Sequence, residues 1–294
     1  MKNSIYIILA GCLWGIIAIF VNVLTNLGCS SLECVAIRVS FAAIILFFYL
    51  LVTDKKKLRI QWKDIGYFLG TGILSIVFFS FCYFKAIEVI GGAAVPALLL
   101  YTAPIFVMVM SALFFKEKIT MKKMISLVAT FIGLGFVTGA FTGGEKISVI
   151  AFWFGIGSGF GYALYSILGK FVAEKYDAVT ITMYTFIVAS LVAIPFSGIT
   201  NHLLLFVSIK GCTAAIGLAF FSTALPFLLY TKGLQGIEAG KAAILATVEP
   251  FVAAIVGTVI FKESFDFPKI VGMLMILFAI VYLNVGKKVE IENS

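Results

Sequence analysis

Charge is what this 294-residue sequence has least of: 12% of its residues are Asp, Glu, Lys or Arg, while 62% are apolar and the mean hydropathy is +1.13. Soluble domains carry about 25% charged and about 45–50% apolar residues. A soluble core of this length would leave its apolar excess facing water, so the sequence excludes a soluble protein and points to a lipid bilayer as its solvent. Histidine is almost missing. His202 stands alone, so a metal site or a Ser–His dyad lacks partners, and neither metal nor cofactor is expected. The five cysteines are an odd number in apolar surroundings, which argues against a disulfide framework. Cys29 and Cys34 fall near one loop but read more simply as small buried hydrophobes.

Other absences narrow the function. The net charge is +8, yet no basic face is interleaved with aromatics, so nucleic acid is not an expected partner. Gly155, Gly157, Gly159 and Gly161 lie inside an apolar run, without the strand and helix that a dinucleotide loop requires. Small residues at that spacing let membrane helices approach closely. Gly240-Lys241-Ala242 fails as a phosphate loop, because Gln235 replaces the first glycine and Ala242 the hydroxyl residue. Leu9-Ala10-Gly11-Cys12 resembles a lipoprotein cleavage site, but the apolar run continues to about Leu24 and more runs follow, unlike a signal peptide. No Asp-rich or His/Asp set marks a membrane acyl or prenyl transferase, so the chain is not read as an enzyme. No stretch is long enough for the output domain of a sensor.

What is abundant is long apolar runs. A membrane helix needs about 20 apolar residues, and ten stretches qualify, near 4–24, 33–53, 64–84, 91–115, 121–141, 147–169, 178–198, 210–231, 239–261 and 267–285. Short charged breaks separate them, including Asp54-Lys55-Lys56-Lys57, Lys116-Glu117-Lys118, Gly143-Gly144-Glu145-Lys146 and Lys262-Glu263. Sixteen Lys and Arg residues fall on the side of the termini, from Lys2 to Lys287 and Lys288, against five on the other side, while Arg38 lies within the second span. Basic loops stay cytoplasmic. The expectation is a multi-pass protein of the plasma membrane with both termini in the cytoplasm.

The sequence also repeats. Under a shift of 146 residues Gly15 meets Gly161, Ala93 meets Ala239 and Pro104 meets Pro250. Under the same shift Phe115-Lys116-Glu117 meets Phe261-Lys262-Glu263, and Lys123 meets Lys269. Near the end of the third span the shift becomes 147, with Lys85 opposite Lys232. A repeat of five spans is odd, so the second copy enters the membrane from the opposite side, as in many secondary transporters. The expected fold is an all-α integral membrane protein, with ten transmembrane helices as two inverted five-helix repeats around a central cavity. The expected halves are 1–143 and 144–294.

Leu13-Trp14-Gly15, Ile37-Arg38-Val39-Ser40-Phe41, Ala103-Pro104-Ile105-Phe106 and Val248-Glu249-Pro250-Phe251, with the two Phe-Lys-Glu closings, resemble the EamA-type ten-span exporters of the drug/metabolite transporter superfamily. The resemblance covers nearly the whole chain. It implies that spans 1–4 and 6–9 line a cavity while spans 5 and 10 pack outside. It also implies export of amino acids, related metabolites or amphipathic drugs by alternating access. An uncoupled facilitator of the same substrates is the alternative. The repeats differ at two charges: the first has Ala103 where the second has Glu249, and the second has Met183 near the position of Arg38.

Glu249 is the acid deep inside a span, and such a group costs roughly 2.5–3.5 kcal/mol on insertion scales. It reads as a cation contact or a proton-coupling site, or else as a structural hydrogen bond. Arg38 suits a substrate carboxylate, or it snorkels to headgroups or to Glu33. Pro104 and Pro250, with Gly15 and Gly161, read as hinges of two gates, or as static kinks shaping the cavity. Trp14, Phe78, Tyr83, Tyr101 and Tyr162, and less strongly Tyr165 and Tyr184, are candidates for an aromatic cavity wall. Each could equally serve a lipid-facing belt or ordinary packing. The expected partners are a small-molecule substrate, the bilayer and protons as coupling ion. One cavity per chain makes a monomer sufficient.

Overall fold

The computed structural model describes residues 2–141, 148–200, 206 and 208–285. The expected boundary between the halves at 143/144 lies outside the described residues, as do Gly143, Gly144, Glu145, Lys146, His202, Lys287 and Lys288. Among the described residues, ten helices are long and apolar enough to cross a membrane. They are α1 (Lys2–Asn26), α2 (Ser31–Thr53), α3 (Trp62–Ile90), α4 (Ala94–Phe115), α5 (Met121–Thr138), α6 (Val149–Val172), α7 (Ala178–Ser197), α8 (Ile209–Leu234), α9 (Ala239–Val259) and α10 (Phe267–Asn284).

The helix ends follow from local chemistry. Ser30 and Glu33 form a reciprocal capping box at the start of α2: the Ser30 hydroxyl accepts from Glu33 N–H at 3.2 Å, and Ser30 N–H donates to the Glu33 carboxylate at 2.7 Å. Each bond satisfies a donor that the first turn leaves unpaired. Thr120, Ser148, Asp177, Ser208 and Asp266 cap α5, α6, α7, α8 and α10 in the same sense. Gly91 and Gly139, at φ 79° and 74°, stop α3 and α5 in the left-handed conformation that glycine tolerates.

Two spans, α4 and α9, are broken at matching positions. α4 runs as Ala94–Leu100 and Ala103–Phe115, broken at Tyr101-Thr102, and α9 runs as Ala239–Ala246 and Val248–Val259, broken at Thr247. Proline was expected to kink a continuous helix. Instead Pro104 and Pro250 sit in the first turn of a second half-helix, where the missing N–H is no loss because that donor would have no partner anyway. The break itself precedes each proline, and a threonine hydroxyl closes each preceding turn: Thr102 donates to the Leu99 carbonyl and Thr247 to the Ile244 carbonyl.

Glycines bring neighbouring helices onto these breaks. A Cβ on Gly15 of α1 would stand 2.8 Å from the Glu249 carbonyl oxygen, and one on Gly159 of α6 would stand 2.5 Å from Thr102 Oγ1. Gly15 also closes the first segment of α1, since that helix is interrupted at Ile16. Its counterpart Gly161 lies within an unbroken α6 against Phe79. α5 and α10 pack together through Gly133 and Gly272, with backbone against backbone. A Cβ on Gly133 would meet the Gly272 carbonyl oxygen at 2.7 Å.

The sequence repeat reappears in backbone detail. Lys116 and Lys262 are the two non-glycine residues at positive φ among those described, at 57° and 60°. Glu117 N–H bonds the Ser111 carbonyl, as Glu263 N–H bonds that of Gly257. Lys123 Nζ donates to the Lys118 carbonyl at 2.8 Å, and Lys269 Nζ to the Ser264 carbonyl at 3.0 Å. π-helical turns interrupt α3 at Gly70–Val77 and α8 at Phe220–Ala224.

Candidate functional site

A cavity of about 650 Å³ opens on the face opposite the termini, with Ser31, Ala93, Gly139, Glu263 and Asp266 around its mouth. Its floor lies at the two helix breaks, where Tyr101 of α4, Tyr162 of α6 and Glu249 of α9 converge. The Tyr162 hydroxyl donates to Glu249 Oε2 at 3.5 Å, and Tyr101 interacts with the same carboxylate. Glu249 stands in the first turn of the second half of α9. The exposed N–H groups and dipole of a helix start favour a negative charge there. The fold therefore places a carboxylate at mid-depth with two phenols and a helix N-terminus beside it.

The walls are aromatic. Trp14 packs edge-on against Phe227 at 5.0 Å and Tyr162 at 6.3 Å between centroids, and Phe79 meets Tyr162 at 5.7 Å. Arg38 is 8% exposed and lines the same cavity, electrostatically coupled to Glu249. Its Nε and the Trp14 Nε1 are buried donors without a hydrogen-bond partner. Buried N–H groups are almost always paired, so an acceptor in the cavity would complete both. The chemistry on offer is thus an anion and a cation on one apolar, aromatic chamber.

Trp14, Arg38, Tyr83, Tyr101, Tyr162, Glu249, Gly15 and Pro250 all line this cavity. Pro104 instead lines a water-sized gap beneath Tyr101 and Tyr162, beside Ser166 and Thr247. Phe78 does not line the cavity. It is 39% exposed on the outer surface of α3 and lies beside Gly161. Phe79 takes the inward place, four residues before Tyr83 on one helix face. That spacing of Phe79 to Tyr83, together with Ser80, was the signal available in the sequence. Tyr165 bonds Thr231 at 2.6 Å, and Tyr184 donates to the Leu58 carbonyl at 2.6 Å; neither lines the cavity. The lining comes from α1, α2, α3, α4, α6, α8 and α9, while α5 and α10 contribute to the mouth. α7 was expected at the cavity but packs against α2 and α3 instead.

The face of the termini is shut by ties between the two halves of the chain. The Glu117 carboxylate, 7% exposed, accepts from Lys170 Nζ at 2.8 Å and from the backbone N–H groups of Ala239 at 2.7 Å and Gly240 at 3.2 Å. Burial alone would push this carboxyl up. The Lys170 ammonium and the two N–H groups outweigh that and hold it below the ordinary glutamate value. Lys123 pairs with Glu238 at 2.9 Å, Lys175 with Asp64 at 2.9 Å and Lys57 with Asp177 at 2.9 Å. None of these ties was read from the sequence.

Ten helices apolar enough to span a bilayer, around a closed-bottomed cavity with a carboxylate beside one helix break, define a membrane protein able to hold a solute in its core. Comparison with known proteins narrows the class. The model of the EamA-like transporter family matches the chain twice, over residues 1–139 and 149–285. The chain belongs to that family. An uncharacterized transporter of Archaeoglobus fulgidus is 30% identical over 94% of this chain and 93% of its own length. An uncharacterized inner membrane transporter of Salmonella typhimurium, YicL, is 24% identical over 98% and 96%. A solved crystal structure shares the fold with a TM-score of 0.80 over 96% of each chain, at 15% identity.

Proposed function

We propose that this membrane transporter is a secondary exporter of small organic solutes that works by alternating access. In this reading its two five-helix halves lie in opposite orientations and rock about the cavity floor. The observation that carries the reading is the cavity ending on two broken helices, with Glu249 at the start of a half-helix. Discontinuous helices with charged groups at their breaks are how inverted-repeat transporters build a mid-membrane site. The matched geometry at Lys116 and Lys262 supports the repeat, and the excess of basic residues on the terminal side supports cytoplasmic termini in the plasma membrane. The cavity then faces outward.

The favoured substrate carries an ammonium toward Glu249, a carboxylate toward Arg38 and an apolar or aromatic body against Trp14 and Phe79. Amino acids and related metabolites fit that pattern, as do amphipathic cations lacking the acid. Glu249 is the proton-coupling site of this reading, since a carboxyl within the cavity can exchange a proton for a cationic substrate. The test is reconstitution of the purified chain into liposomes with a panel of amino acids, amines and cationic dyes. Proton-gradient-driven movement of zwitterions or amines is expected. Movement indifferent to any gradient would make the protein an uncoupled facilitator, and movement of none of them would sink the reading.

A further inference from the structure

Among the described residues, four ion pairs join the halves at the face of the termini: Glu117–Lys170, Lys123–Glu238, Lys175–Asp64 and Lys57–Asp177. Under the 146-residue shift the same positions on the other face can be read off. Glu117 and Lys170 become Glu263 and Leu24. Lys123 and Glu238 become Lys269 and Gly92. Lys175 and Asp64 become Cys29 and Lys210. Lys57 and Asp177 become Leu203 and Ser31. In every case at least one partner of the pair has lost its charge or its matching sign. Using a shift of 147 for any of them restores no pair. Among the described residues near the mouth, Lys269 pairs with Glu263 at 3.2 Å and Lys85 with Glu88 at 2.7 Å, each within its own half.

The difference does not come from the loop backbone, because the two loops have the same shape. Both hold a lysine at positive φ, both place the following Glu N–H on a carbonyl six residues back, and both set a lysine Nζ on the matching loop carbonyl. Only the partner contributed by the other half differs. Lys123 reaches across to Glu238, while Lys269, whose repeat-related partner position is Gly92, folds back onto Glu263. Three of the four pairs also have one member almost sealed from solvent: Lys123 at 5%, Glu117 at 7% and Asp64 at 3% side-chain exposure. Such pairs are screened far less than surface ones.

We infer that the two gates are unequal by construction: cross-half ion pairs whose repeat-related positions on the opposite face carry no matching charges latch the terminal face, so the unliganded protein rests with that face shut and the cavity open to the other side. The inference rests on the alternating-access reading above. With cytoplasmic termini it makes the empty carrier outward-facing, and substrate binding from the terminal side must compete against the latch.

Hydrogen–deuterium exchange of the whole chain in lipid nanodiscs tests this, comparing residues 236–242 at the latch with 91–97 at the mouth. Lys170→Leu copies the opposite gate into the latch. Exchange at 236–242 should rise about fivefold, the scale of one lost ion pair, while exchange at 91–97 falls. Gly92→Glu offers Lys269 the partner that Lys123 has, on a surface glycine, and should shift both segments in the same directions. Should Lys170→Leu fail to fold, Lys57→Ala removes a half-exposed pair from the same face and takes its place. Gly240→Trp, which wedges the latch apart whatever the charges, is the control. If Gly240→Trp moves both segments reciprocally but the charge variants loosen only their own segment, the unequal gates are wrong and alternating access stands. If Gly240→Trp opens 236–242 and leaves 91–97 untouched, alternating access itself is wrong.

Discussion

The Tyr162 hydroxyl stands 3.5 Å from Glu249 Oε2, and the two residues come from opposite ends of the second half, on α6 and α9. The bond stitches an unbroken helix to a broken one at the cavity floor. Tyr101 reaches the same carboxylate, so a substrate that binds Glu249 in the proposed reading displaces two phenols.

Glu249→Gln keeps the shape and removes the charge. Gradient-driven accumulation of substrate in proteoliposomes is expected to fall by at least about tenfold, with substrate exchange between the two sides retained. Unchanged gradient-driven transport would remove Glu249 from the coupling step.

Arg38 offers a planar fork that lysine cannot copy. Arg38→Lys should therefore raise the apparent KM for zwitterionic substrates by about tenfold and leave that for simple amines unchanged. Equal losses for both substrate classes would show that Arg38 supports the fold rather than a carboxylate.

Gly15 has no room for a side chain, because its neighbours are the Glu249 carbonyl and Val252. Gly15→Val should cost about 1–3 kcal/mol through overpacking, visible as a lower apparent Tm in detergent. The enlarged residue should also displace the break of α9, so transport should fall further than stability alone explains.

Glu117 is held below the ordinary glutamate value, so its folded-state value lies under the unfolded one. Its contribution to stability is complete above about pH 4.3, the ordinary value, and disappears as the pH falls through the lowered one. The Tm advantage of the unaltered protein over Glu117→Gln should be constant from pH 8 to about 5 and shrink below about 4. A difference that shrinks between pH 8 and 6 instead would contradict the latch geometry.

Much of the architecture was legible in the sequence because a bilayer imposes one strong constraint. Every spanning segment must be a long apolar helix, so hydropathy alone located ten helices to within a few residues, apart from α3, which continues to Ile90. Glu249 and Arg38 were visible for the same reason, as charges where charge is costly. Tyr101 and Tyr162 were visible less directly, through their position beside the prolines and paired glycines. Phe78 misled because four neighbouring positions hold three phenylalanines, and only the helical phase relative to Tyr83 separates the inward one. The prolines marked the breaks but not their form, since a proline signals a helix start as readily as a kink. The latch was invisible. Glu117, Lys170 and Ala239 are far apart in sequence, and in an isolated reading each is an ordinary loop or helix-end residue.

The contact of Gly133 with Gly272 joins α5 of the first half to α10 of the second. The two backbones touch there, with Phe136 and Val137 of α5 and Met275 and Ile276 of α10 closed around the contact, so the two helices are keyed together at this point. Rocking of the halves would then leave this seam nearly still while the loops at both ends swing. A cross-link placed along that seam should cost the protein little of its motion.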